Sequence, residues 1–256
     1  MALLQHDEAH RCDDDRIHQV IAALRDGGDD VLSHLAMDWN GIDLDPSELQ
    51  IADGDFVHAF ERLAPERTRG LDETVNRIRD FHEAEMPQEL WLKQIRPSQW
   101  AGHRYRPIDA AACFVPSGSD VLSEAAVMNA IPALVAEVPR VVIVTPPESD
   151  GSVSDLILVA AATVGVGEIY KLDAMSAAPA LSLGTERIPK VDRLMTPHNR
   201  VLAEAKRVLA NDLEIVTTGG KATAILLADA WAHADAVKSD LMAVSELIGE
   251  GAVLLI

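Results

Sequence analysis

The chain has 256 residues, enough for one large or two smaller compact domains with a core of their own. Its formal charge of −19, from 41 acidic against 22 basic residues, repels phosphate backbones and anionic lipid, so nucleic acid and membrane surfaces are excluded as expected partners. With 48% hydrophobic and 4% aromatic residues, the core must be built from Ala, Val, Leu and Ile, which suits helices packed on a buried parallel sheet. No apolar run approaches the ~20 residues of a membrane span and no signal-peptide pattern is present, so a cytoplasmic protein is expected.

Residues 1–15, with His6, His10, Cys12 and an Asp run, read as a solvated terminus rather than a metal site. Cys12 and Cys113 have no metal-binding spacing, and nothing around them suggests a disulfide. From Arg16, Ile17, Val20, Ile21 and Leu24 recur at helical spacing until Gly27 and Gly28 stop the helix, and a second helix carries Val31, Leu32 and Leu35. A turn over 47–51 leads into a short strand. Two further helices are predicted, over 53–63 and over 65–85, the latter opening on Pro65. The stretch 91–107 alternates weakly and contains Arg96-Pro97, Gly102 and Arg106-Pro107, which predicts strand pieces with turns.

Beyond it the pattern changes. Strands are predicted over 110–115, 140–145, 168–172, 191–195 and 213–216, and helices over 121–135, 152–164, 174–183 and 198–209. Strand and helix alternating at this interval imply a parallel sheet with helices on both faces. A strand over 224–227 and a helix over 234–248 precede Ala252-Val253-Leu254-Leu255-Ile256. A buried strand normally runs on into a solvated connection, so the end of the chain reads as an interruption.

No Gly-rich phosphate loop, nucleophile elbow or paired-histidine motif is present. By spacing alone, the nearest approach to a catalytic cluster is Asp192 with His198 and Asn199. Four longer segments carry more. Phe114-Val115-Pro116-Ser117-Gly118, Val127 through Ala133 (VMNAIPA), Gly184 through Asp192 (GTERIPKVD) and Glu204-Ala205-Lys206-Arg207 resemble histidinol dehydrogenase in residue type, order and interval. The resemblance reaches from the helices near Arg16 to the last residue and covers the N-terminal half of that family's pattern.

The resemblance implies an α/β fold of two nested Rossmann-like lobes with parallel sheets, the second truncated, preceded by N-terminal helices. The inserted, cofactor-side lobe would be 111–222, and the host lobe 1–110 plus 223–256. It also implies an NAD-dependent zinc enzyme of histidine biosynthesis, which oxidises an amino alcohol through an aldehyde to a carboxylate and works as an intertwined homodimer. Carried over residue by residue, the cofactor-binding positions are Phe114, Pro116, Ser176, Pro197 and Asn199. Phe114 keeps the family's aromatic ring without its hydroxyl, and Ser176 stands where a Gln reaches the cofactor. Asp173 replaces a glycine and adds a charge that would repel pyrophosphate. The zinc-ligand positions on the late helix fall on Val244 and Leu247, which have no electron pair to donate. A substrate-contacting Ser aligns with Ala222, and Glu246 survives without its neighbours. The remaining zinc ligands, the catalytic Glu-His pair and the tail that completes the partner's site would fall beyond Ile256 in the family's pattern. A non-catalytic relative, a pseudoenzyme, is therefore expected, with neither catalytic nor metal-binding residues of its own and with a homodimer or a complementing chain as partner. The alternative is an NAD-dependent dehydrogenase for an amino alcohol such as L-histidinol, either zinc-independent or completed by a second chain.

Overall fold

In the computed structural model the chain is described over residues 2–117, 123–197, 199–218, 223–229, 231–248 and 252–255, with side chains over 14–117, 124–197, 199–217, 225–229 and 231–242. The N-terminal part contains helices α1 (Ala2–Asn40), α2 (Asp53–Arg62) and α3 (Pro65–Glu85), then strands β1 (Leu90–Arg96) and β2 (Gln99–Arg104). An alternating region follows: β3 (Ala110–Phe114), α4 (Ser123–Val135), β4 (Arg140–Thr145), α5 (Asp155–Val164), β5 (Ile169–Lys171), α6 (Ala174–Leu183), β6 (Arg193–Pro197), α7 (Arg200–Val208) and β7 (Glu214–Thr218). Last come β8 (Thr223–Leu226), α8 (Ala234–Ile248) and β9 (Ala252–Leu255). Among the described residues no helix is long and apolar enough to cross a membrane.

Five strands form one parallel sheet in the order β5-β4-β3-β6-β7. This is the expected α/β architecture, a Rossmann-like parallel sheet covered on both faces. All five side chains of β3 are buried, as are those of β4 after Arg140. Because successive side chains point to opposite faces, the core divides in two. Ala110, Ala112, Phe114, Val142, Val144 and Leu194 meet Ile17, Val20 and Leu24 of α1, Leu181 of α6 and Leu202 of α7. Ala111, Cys113, Val141, Ile143 and Ile169 meet Val127 and Ile131 of α4, Leu158 and Ala161 of α5, Ala59 of α2 and Val75 of α3. The alanines of β3 let helices approach the middle of the sheet closely. Burial without polar partners pushes the Cys113 thiol far up, so it acts as a small apolar side chain.

The N-terminal helices thus pack on the five-stranded sheet's own layers, α1 against α6 and α7, and α2 and α3 against α4 and α5. Arg62 on α2 grips both carboxylate oxygens of Asp155 on α5, at 2.9 and 2.6 Å. The expected strand near 51 is a single bridge from Gln50 to Tyr170, with Ile51 and Leu49 bonding the backbone of 169 and 171, and it covers the outer edge of β5. β1 and β2 pair as an antiparallel hairpin, and β8 and β9 pair in parallel through α8.

Two sequence expectations change. The first helix does not start at Arg16: α1 runs from Ala2, since no Gly or Pro interrupts 2–16. Nor do the glycines end it. Gly28 adopts φ 53° and ψ −135°, a kink between two helical arms. The kink is held from far along the chain. The Glu186 carboxylate lies where a Cβ on Gly28 would be and accepts the Asp29 N–H at 3.2 Å, while the Thr185 hydroxyl donates to the buried Asp29 carboxylate.

Substituting Gly28→Ala forces a side chain into a backbone region reserved for glycine and against Glu186. Equilibrium urea unfolding should show a loss of about 1–3 kcal/mol. Gly70→Ala, in an exposed stretch of α3 where the added methyl meets nothing, should instead raise stability by about 1 kcal/mol. Equal effects of the two substitutions would contradict the latch.

Candidate functional site

In an open parallel sheet the chain leaves the first strand in one direction and later returns to its other side, and the crevice outside the carboxyl ends at that point is where ligands bind. Here the reversal lies between β3 and β6. The connections through α4 and α5 run over one face of the sheet, and those through α6 and α7 over the other. Phe114 and Pro116 leave β3 at this point. Pro197 ends β6, and Asn199 caps α7. The pairing of Cys113 with Met195 sets these two strand ends side by side.

Of the expected cofactor-binding residues, three therefore come to the crevice. Pro116, Pro197 and Asn199 are half-buried there. Phe114 is 1% exposed, and its ring belongs to the core facing α1, α6 and α7. Asn199 accepts the Leu202 N–H through its side-chain oxygen at 3.1 Å, which leaves its NH2 group without a hydrogen bond among the described residues. Ser176 stands apart at the N-terminus of α6, beyond the edge strand β5 and two strands from β3.

That helix end is chemically closed. A helix N-terminus presents unpaired N–H groups and partial positive charge, which makes it a seat for anions. One Asp173 carboxylate oxygen takes the Met175 and Ser176 N–H groups at 2.8 and 2.9 Å, and the Ser176 hydroxyl at 3.1 Å. The other accepts from the Asn40 amide at 3.2 Å. Ser176 is 3% exposed and committed to this cap. As they stand, these residues do not fit a dinucleotide phosphate at this end of the crevice, because the chain's own carboxylate fills the position.

Asp192 and Asn199, two members of the proposed cluster with His198, do not come together. Asp192 precedes β6 at the amino edge of the sheet, where its carboxylate accepts the Asp109 and Ala110 N–H groups at 2.9 and 3.0 Å. Asn199 follows the same strand at the carboxyl edge, a strand length of about 17 Å away. His198 and Ala222 lie outside the described residues. The side chains of Val244, Glu246 and Leu247 also lie outside them, although the backbone of all three belongs to α8. Hydrocarbon at 244 and 247 offers no donor atom, so the residues present do not fit a zinc ion there.

Sequence reasoning missed a feature on either side of β3. Both flanking strands end in Thr-Pro, with Thr145 and Thr196 fully buried. The Thr196 hydroxyl donates to the Pro197 carbonyl at 2.7 Å, and that of Thr145 to the Pro146 carbonyl at 3.5 Å. The repeated dipeptide was the available signal. Two clefts lie at the opposite edge. One of about 710 Å³ borders the Gly28 kink and Glu186, and one of about 320 Å³ gathers His18, Arg25 and Lys190 near the carbonyl ends of α6 and α7, which cations complement.

Comparison with known proteins identifies the family and the fold. The sequence model described as histidinol dehydrogenase matches residues 5–256. A histidinol dehydrogenase homolog of Colwellia psychrerythraea is 35% identical over 91% of this chain and 52% of its own length. The histidinol dehydrogenase of Methanothermobacter thermautotrophicus is 32% identical over 94% of this chain and 56% of its own. The chain spans about half the length of the curated relatives it matches. The crystal structure of histidinol dehydrogenase from Elizabethkingia anophelis superposes with a TM-score of 0.87 at 23% identity, over 93% of this chain and 55% of that one, which establishes the shared fold.

Asp173→Ala leaves the first N–H groups of α6 without their acceptor and should cost about 1 kcal/mol in chemical denaturation. Asp173→Asn keeps an acceptor oxygen and should cost far less. A neutral Ala variant would show that the cap contributes nothing.

Proposed function

This chain belongs to the histidinol dehydrogenase family, and from that premise we propose that it is a non-catalytic relative, one that keeps the cofactor-side sheet while lacking the means to run the reaction alone. The observation that carries the reading is Asp173. It puts a carboxylate on the N–H groups of α6 and draws Ser176, the residue in the cofactor Gln position, into the same cap. A bound phosphate would have to displace that carboxylate or lie beside it, and like charges repel. The absence of donor atoms at 244 and 247 points the same way, since a helix relieved of metal binding is free to carry apolar residues. In this reading the division into an inserted lobe over 111–222 and a host lobe over 1–110 and 223–256 is inherited architecture, and the task is binding or assembly.

A second reading rests on a different observation. Pro116, Pro197 and Asn199 still gather at the reversal between β3 and β6, and the Asn199 NH2 group is available as a donor. If a second chain supplies the groups for metal binding and proton transfer, these residues would hold the nicotinamide side of NAD, whose chemistry is to accept hydride from the amino alcohol. This chain would position the cofactor, and the partner would supply proton transfer and metal.

Three measurements separate the readings. Purified chain mixed with NAD, L-histidinol and Zn²⁺ or Mn²⁺ should form no NADH, and multiple turnovers would end the first proposal. Calorimetric titration with NAD should detect no binding up to millimolar concentration. The same titration of Asp173→Gly, which removes the charge at a cap position that tolerates glycine, should detect binding tightened at least ~10-fold. Micromolar affinity in the unaltered chain would favour the second reading.

A further inference from the structure

Asn40 is the last residue of α1, and Gly41 follows it with φ 68°, the left-handed turn that ends the helix. No other asparagine of the chain precedes a glycine: Asn76, Asn129, Asn199 and Asn211 are followed by Arg, Ala, Arg and Asp. The difference is chemical. A backbone nitrogen can attack the side-chain amide of the residue before it, and a side chain on the attacking residue hinders the approach. Gly41 has none, and the space where a Cβ would stand is open, with no atom within 4 Å. Both residues are exposed, so water reaches them.

Two hydrogen bonds hold the pair. The Gly41 N–H donates to the Met37 carbonyl at 2.9 Å, and the Asn40 side-chain NH2 donates to Asp173 at 3.2 Å, across the packing of α1 on α6. The first lies at a helix end, where local opening costs least. The second fixes the direction of the amide toward α6, so the amide is free to turn onto the Gly41 nitrogen only when Asp173 lets it go.

We propose that Asn40-Gly41 is a deamidation site gated by Asp173. The Gly41 nitrogen gives up its proton to solvent and attacks Asn40 Cγ. The new C–N bond closes a five-membered imide, and the side-chain nitrogen regains a proton and leaves as ammonia. Water then adds to either imide carbonyl and opens the ring, to aspartate or, with the chain continuing through the side chain, to isoaspartate. One water is consumed and one ammonia released, and no oxidant or metal takes part. The product reverses the contact. A donor to Asp173 becomes a second carboxylate facing it, at the carbonyl end of α1, where negative charge is unfavourable and the last turn carries no basic residue. The modification thus loosens α1 from α6 at the residue that caps α6.

Peptide mapping by mass spectrometry over weeks at mildly alkaline pH should show a gain of one mass unit in the peptide spanning Asn40, with isoaspartate detected by enzymatic methylation. The other four asparagines should show no comparable gain, and Asn40→Gln should abolish the signal. Asp173→Asn keeps one oxygen for the N–H groups of α6 but presents an NH2 group, which cannot accept, to Asn40. The helix stays capped while the amide is freed, so the rate should rise about 5-fold, the factor that one net hydrogen bond contributes. Asn40→Asp, the aspartate product, should lower the thermal midpoint. That deficit should shrink in high salt and vanish when Asp173→Asn is added. An unchanged Asn40 peptide, or equal rates in the native chain and Asp173→Asn, would overturn the proposal. So would acceleration by Asp173→Ala alone, which would trace the reaction to an uncapped α6. None of these readouts involves NAD or histidinol, so they are independent of the catalytic reading.

Discussion

Every side chain of β3 is withdrawn from water, and the rest of the molecule follows from meeting that demand. A central parallel strand must be covered on both faces, because its alternate residues point to opposite sides and all of them are apolar. Ala110 and Ala112 on one side, and Ala111 and Cys113 on the other, are small enough for two helical layers to close over the sheet's middle. The layers are filled partly by the connections between strands and partly by the N-terminal helices. Removing α1 would expose Leu181, Leu194 and Leu202, so the first helices belong to the sheet's stability as much as its crossovers do.

The same arrangement creates one place where chemistry could be hosted and restricts what may occupy it. Crossovers on opposite faces leave the ends of β3 and β6 without a shared cover, and two of the family's motif segments, around Pro116 and around Asn199, come to that gap. Farther along the rim, the anion seat of α6 is taken by an internal ligand. A carboxylate tethered one residue before the helix needs no loss of translational freedom to bind, whereas a free phosphate does. The competition therefore favours Asp173 strongly. The Asp173 side chain thereby makes the start of α6 a self-satisfied cap.

Much of this could be read in the sequence. The strands over 140–145 and the helices over 174–183 and 234–248 match their predicted limits, because each is a strongly patterned run bounded by Pro, Gly or a capping residue. β6 was predicted two residues early. Val191 bonds the Leu181 carbonyl instead of a strand, and Asp192 turns its carboxylate to the start of β3, so both are drawn into the approach to the sheet. That displacement also parts Asp192 from Asn199, since spacing along a strand says nothing about which end each residue occupies. The kink at Gly28 looked like a helix end because its support, Glu186, is remote in sequence. The closure at Asp173 was legible only as repulsion. Its hydrogen bonds to Met175 and Ser176 require knowing that α6 begins there.

The α1 latch has a consequence for the order in which the protein can be made. Asp29 and the Glu186 that receives its N–H are separated by 157 positions. At ribosomal rates of 5–20 residues per second, the amino-terminal helix waits on the order of ten to thirty seconds before its docking site has emerged. Until then Ile17, Val20 and Leu24 can meet Ala112, Phe114, Val142 and Val144 of the sheet but not Leu194 and Leu202, which follow Glu186 in the chain.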